Sequence, residues 1–287
     1  MIKSEISYNP VLLKSKFGIR EKTIISIVIL ITLLIGIIAY GNNIGEEQIA
    51  IDLINKNLEP SLSHLFGTDW IGRDMLLRTI KGLSISIQIG LVASVVSGII
   101  GLLLGLLGSS SSKLLDSFVT WIIDLFLAIP HTLIVILISI SVGGGIYGMI
   151  LGVSLTHWAS LARIIRGEVN QIKQSEYIQV SKNLGKSNIH IAINHILPHI
   201  IPQLLIGIVL VFPHAILHEA SVTFLGFGLQ PHEPAIGIIL SESMKYITSG
   251  KWWLVFFPGV SLVLVSMMVD NVGKLINKLI NPKEAYK

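Results

Sequence analysis

The sequence predicts an all-α membrane protein with six transmembrane helices. Three observations lead there. Of 287 residues, 52% are hydrophobic and only 13% are charged, against roughly 25% charged in soluble domains, and the mean hydropathy is +0.75. Six runs approach or exceed the roughly 20 apolar residues that cross a bilayer. The 21 basic residues divide unevenly between the segments that flank those runs.

The first run, Thr23–Tyr40, follows Lys14, Lys16, Arg20 and Lys22 and has the outline of a signal peptide. Its apolar stretch exceeds the usual length of roughly 7–15 residues and lacks a small-x-small cleavage site, so a retained helix is expected. Ser84–Leu107 is the second run, with a Gly-Ser turn at Gly108–Ser112 behind it. Ser117–Val142 and Ile146–Ile165 follow, the latter crowded at its end by Arg163 and Arg166. Ile200–Phe224 and Trp252–Val269 complete the set.

Six crossings put both termini on one side. If that side is the cytoplasm, the inner segments hold 15 basic residues and the outer segments 6, the bias that orients membrane proteins. Three connections are long. Gly41–Leu83 lies outside, with a candidate amphipathic helix over Gln48–Leu58 in which Ile49, Leu53 and Ile54 share a face. Arg166–His199 is the one sizeable polar inner loop, and Leu225–Lys251, with Pro231 and Pro234, lies outside. No internal repeat is visible, which argues against a carrier built from inverted repeats within one chain. Cysteine is absent and net charge is only +4, which excludes thiolate chemistry and gives no nucleic-acid footprint.

Gly185-Lys186-Ser187 ends like a Walker A sequence, but Val180 stands where that motif needs glycine and no strand precedes it. Nucleotide binding by this chain is not expected. The local pattern is instead a short helix over Ser175–Leu184, a glycine that permits a positive-φ stop at Gly185, a second short helix, and a break at Pro198. Two helices set at an angle make a rigid knob.

This loop resembles the coupling loop of ABC importer permeases. Gln179-Val180-Ser181, three residues, Gly185, nine residues and His195-Ile196-Leu197-Pro198 keep that family's spacing with altered letters. Phe66-Gly67-Thr68-Asp69-Trp70-Ile71-Gly72-Arg73-Asp74 resembles the FGTDxxGRD stretch of the peptide/nickel permeases. Glu219-Ala220-Ser221-Val222-Thr223-Phe224-Leu225-Gly226-Phe227-Gly228 resembles their EASLSFLGLG, and Gln230-Pro231, Trp252-Trp253-Leu254 and Phe257-Pro258-Gly259 continue the match.

The resemblance implies a MetI-like permease fold and the C-type subunit of a dipeptide, oligopeptide or nickel importer. It divides the chain into a cytoplasmic tail over 1–22, a first helix over 23–40, an extracytoplasmic loop over 41–83, a five-helix core over 84–280 with coupling loop 166–199, and a tail over 281–287. Implied partners are a homologous second permease, two ATPase subunits, an extracytoplasmic solute-binding protein and the lipid bilayer of a prokaryotic cytoplasmic (inner) membrane. ATP and Mg²⁺ would be used by the ATPase subunits; no cofactor is expected on this chain. Glu176, Gln179, Ser181, Gly185 and Pro198 become ATPase-coupling candidates.

Ionisable groups inside spans cost about 2.5–3.5 kcal/mol each on insertion scales, so each is a functional candidate. Asp124, His131, His214, His218 and Glu219 are the pathway candidates. His214 and His218 are four apart on one helical face and could offer two imidazoles to a passing divalent cation such as Ni²⁺. Nine histidines in so apolar a chain lean the cargo toward nickel or a metal chelate, with small peptides as the alternative. An ion-coupled carrier using Asp124, Glu219 and Asp270 is a third reading. A zinc protease is excluded, because His218-Glu219 is followed by Val222 where HExxH needs histidine.

Overall fold

The computed structural model describes residues 18–109 and 112–280. The tails expected over 1–22 and 281–287 lie outside them, apart from 18–22, as do residues 110 and 111 of the Gly-Ser turn. Among the described residues the chain forms ten α-helices and no strand: α1 (Ile19–Asn43), α2 (Met75–Leu107), α3 (Lys113–Ala128), α4 (His131–Ser141), α5 (Gly145–Lys173), α6 (Glu176–Asn183), α7 (Asn188–Ile191), α8 (Leu197–Phe224), α9 (Ile236–Ser243) and α10 (Trp253–Ile280). By length and composition α1, α2, α5, α8 and α10 can each cross a membrane, and α3 with α4 makes a sixth crossing if that pair is one span.

The expected single span Ser117–Val142 is broken. Proline has no N–H and its ring pushes the preceding residue out of the α region. Ile129, before Pro130, accordingly adopts φ −88°, ψ 139°, and α3 and α4 meet at 98°. Small residues let α2 and α5 approach closely, the usual device where lipid supplies no hydrophobic drive. A Cβ on Gly101 would lie 2.9 Å from Leu161 Cβ, and one on Gly105 would lie 2.8 Å from Ile165. Ser97 Oγ donates to the Ser154 carbonyl at 2.8 Å.

These pairs (97 with 154, 101 with 161, 105 with 165) run in the same direction, so α2 and α5 are parallel. The chain between them must return across the bundle, so α3 and α4 together count as one crossing. On the other face of α2, Gly90 meets Ile216 and Gly98 meets Ile208, an antiparallel pairing with α8. The arginines that crowd the fourth run are paired with α3: Arg163 with Asp124, and Arg166 with Asp116 at 2.6 Å. Helix α1 sits at the periphery with Ile24, Ile25, Val28, Ile29, Ile31 and Ile35 exposed. It is tied to α2 by Asn42 Oδ1, which accepts from Ser84 Oγ and Gln88 Nε2 at 3.1 Å.

Helix α2 begins nine residues before its apolar run, and the loop ahead of it is a compact knot. Gln48–Leu58 does not form the expected amphipathic helix; only two 3₁₀ turns occur there, Glu46–Ile49 and Leu53–Asn55. The reason is competition for its backbone groups. Asp52 N donates to Ile71 O, Asn57 N to Asp69 O, and Thr68 N to Leu58 O, so the segment pairs with the FGTDWIGRD stretch instead of with itself.

Asp69 is wholly buried at the centre of that stretch. Its carboxylate accepts from Ile71 N at 3.0 Å, Arg73 N at 2.9 Å, Arg73 Nε at 2.7 Å and Arg78 Nη1 at 2.7 Å. Arg78 also donates to Glu242 of α9 at 2.9 Å. Trp70 stacks on Tyr246 at 4.7 Å, Phe66 on Phe257 at 4.5 Å, and Trp253 Nε1 donates to the Thr68 carbonyl. Gly72 is obligatory: its φ is +85° and a Cβ would fall 1.7 Å from the Asp52 carbonyl oxygen.

Removing one partner of a buried ion pair costs about 3–5 kcal/mol because the other is left buried and uncompensated. Asp69→Ala should therefore lower the unfolding free energy by about that amount, measured as a loss of thermal stability in lipid nanodiscs. Glu242→Gln, whose carboxylate is partly exposed, should cost clearly less. Equal losses would mean that Asp69 is not the hub.

Candidate functional site

Three polar arrangements stand out: at the end that carries α6 and α7, called inner by the basic-residue bias, within the bundle, and at the opposite, outer end. At the inner end, helix α6 is followed by Gly185 at φ +77° with open space around it, and Ser187 Oγ caps α7 by accepting from His190 N. A π turn over Ala192–Ile196 then leads straight into α8, with Leu197 N–H bonded to the Ala192 carbonyl. Pro198 therefore does not break the chain, as the sequence reading expected. Its missing N–H falls in the first turn of α8, and the wider turn before it shifts the hydrogen-bond ladder past the gap.

This knob is seated by one apolar strip. Ile178, Ile191 and Ile196 pack against Ile165, Val169, Ile200 and Leu204. Val180, Leu184, Ile189 and Ile193 are all exposed, Leu184 by 74% and Ile189 by 72%, and Ile189 also borders the cavity beside the knob. Glu176 and Pro198 are exposed. Gln179 is exposed and donates to the Lys173 carbonyl at 3.0 Å, while Ser181 is buried and within 3.4 Å of His195 Nε2. An apolar cavity of about 560 Å³, lined by Leu106, Leu115, Val169, Lys173, Ile191 and Ile196 among others, separates the knob from the inner ends of α2 and α3.

Within the bundle, the sequence candidates part company. Asp124 is exposed and paired with Arg163. His214 is exposed and does not join His218 in a two-histidine site. His218 instead meets His131, the first residue after the Pro130 break, at 5.0 Å between ring centroids, and His157 of α5 at 5.3 Å. His131 and His157 stand 4.2 Å apart. An i,i+4 spacing on one helix is thus replaced by three helices each giving one ring.

At the outer end, Glu219 is fully buried. Its Oε1 accepts from Thr223 Oγ1 at 2.9 Å, and Thr223 Oγ1 in turn accepts from Leu229 N at 3.2 Å. The turn that follows α8 is fastened to the start of α5 by Gly145 N donating to the Gly228 carbonyl. Glu219 Oε2 has no hydrogen-bond partner among the described residues.

Residues 97–282 match the family described as binding-protein-dependent transport system inner membrane component. The chain belongs to this family of ABC importer permeases. It is 33% identical to the dipeptide transport system permease protein DppC of Bacillus subtilis over 80% of this chain and 72% of that one. It is 33% identical to the oligopeptide permease OppC of the same organism, over 81% and 76%. It is 31% identical to the probable D,D-dipeptide permease DdpC of Escherichia coli, over 92% and 89%. A chain of the MetNI methionine ABC transporter superposes with a TM-score of 0.60 at 19% identity, covering 72% of this chain and 97% of that one, which shows the MetI-like fold.

The permease's two most recognisable sequence stretches are therefore structural fastenings. FGTDWIGRD ties the outer loop to α9 and α10, and the stretch from Glu219 ties the end of α8 to α5. Sequence spacing does not single out His157, because no other histidine stands at i±4. The signal present was the ionisable side chain inside a span. Thr223→Val removes the hydroxyl that links Glu219 to Leu229 and should cost about 1–3 kcal/mol, the penalty of stranding a buried group. Amide exchange at Leu229 should quicken, and unchanged protection there would show that the link does not hold the turn.

Proposed function

We propose that this permease is the C-type subunit of a peptide importer. It pairs with a homologous permease, two ATPase subunits that use ATP and Mg²⁺, and an extracytoplasmic solute-binding protein. Its place is a prokaryotic cytoplasmic membrane, with both termini inside. The observation that carries the coupling role is the knob: a compact two-helix projection held from below by Ile178, Ile191 and Ile196 and crowned by exposed Val180, Leu184, Ile189 and Ile193. Several large apolar side chains left exposed on one short projection are what a docking surface presents. Glu176, Gln179 and Gly185 sit on the same projection, with Pro198 at its exit.

Peptide is preferred to nickel as cargo because the relatives reported above are named for dipeptides and oligopeptides. The metal lean drew on the His214–His218 spacing, and His214 stands outside the histidine cluster. An ion-coupled carrier loses its main support too, since Asp124 is neutralised by Arg163 and Asp270 by Lys274.

Leu184→Asp puts a charge on the crown without touching its seat. It should abolish ATP-driven uptake and association with the ATPase subunits while leaving the melting temperature unchanged. Full uptake by a well-inserted variant would remove the knob from the coupling role. In cells lacking this chain, uptake of a labelled dipeptide should be lost and uptake of labelled nickel retained; the reverse pattern would restore metal as cargo.

A further inference from the structure

His131, His157 and His218 come from α4, α5 and α8, far apart in sequence, yet each offers a ring nitrogen within 4.8 Å of the other two. One of the three, His157, has its second nitrogen held as in metal-binding histidines. His157 Nδ1 lies 3.0 Å from the Val153 carbonyl, so Nδ1 carries the proton and Nε2 is left with its lone pair, the orientation that outer hydrogen bonds give to metal-binding histidines. His131 Nδ1 is buried with no hydrogen-bond partner among the described residues, an unmet demand in the middle of an apolar bundle.

We propose that these three imidazoles bind one borderline divalent transition cation, Zn²⁺ or Ni²⁺. Metal–nitrogen bonds of about 2.0–2.1 Å in a tetrahedral site bring ligand nitrogens to a little over 3 Å apart, so small rotations of the rings close the present spacing. Imidazole selects this class over Mg²⁺ and Ca²⁺, which require oxygen ligands. Among the described residues no carboxylate belongs to the cluster, and His131 and His218 are only half-buried, so a fourth position stays open on their side. The bound ion would cross-link the broken α3–α4 span to α5 and α8. It is a resident site, independent of which cargo the importer carries.

The test uses the full chain in lipid nanodiscs, stripped with chelator and titrated with ZnCl₂ or NiCl₂. About one equivalent of metal should bind per chain, and its X-ray absorption should show three imidazole nitrogens. An ion that binds only the folded state stabilises it in proportion to the logarithm of its concentration, so melting temperature should climb with added metal. His157→Ala and His218→Ala should each weaken binding more than about tenfold, at least the loss seen when a supporting group alone is removed, and abolish the climb. His232→Ala, in the loop that follows α8, should leave both intact. Fewer than three imidazoles on the wild-type metal, or binding unaltered by the two cluster variants, overturns the proposal without depending on whether a variant folds less well.

Discussion

The close approach of α2 and α5 is the constraint on which the rest of the bundle depends. Two parallel helices can lie this near only because Ser97, Gly101 and Gly105 leave room for the Leu161 and Ile165 side chains. With that pair fixed, α8 has one place to go, antiparallel on the opposite face of α2, where Gly90 and Gly98 receive Ile216 and Ile208. The same pair forces the chain between them to recross. That crossing is α3 and α4, which lean on α5 from the other side, α4 so closely that Gly148 and Gly152 lie under Ser139 and Val135.

A bilayer interior leaves no water to satisfy a broken helix, so each interruption must be compensated within the protein. The residues of the break itself, 127–130, are exposed, and just after them His131 meets α5 and α8, where three imidazoles gather. The proline at the start of α8 is absorbed by a π turn, which lets the coupling knob and the span share one continuous helical path from Asn188 to Phe224. Charges follow the same rule. Asp116 and Asp124 on α3 face Arg166 and Arg163 on α5, so four ionisable groups enter the bundle region as two pairs.

The two ends of the molecule are built differently. The outer end is dense with buried polar bonds centred on Asp69 and on the Glu219–Thr223 link, and it is held by stacked aromatic rings. The inner end presents a small seated knob with exposed apolar side chains and a cavity beside it.

The sequence by itself located five of the six apolar spans and set an orientation bias, because hydropathy and basic-residue placement act locally and need no partner. It reads the sixth, Ser117–Val142, as one helix where the structure breaks it at Pro130. It also determined the knob, since Gly185 and the helical spacing around it are properties of a dozen contiguous residues. Tertiary structure decided the rest. Gln48–Leu58 has a helical pattern, yet its backbone bonds to residues 68–71. His214 and His218 have ligand spacing, yet His218 turns to His131 and His157 on other helices. Asp69 stands in a recognisable stretch, yet nothing in the sequence joins it through Arg78 to Glu242 of α9. In each case the deciding partner lies on a distant segment, and periodicity along one helix carries no information about it.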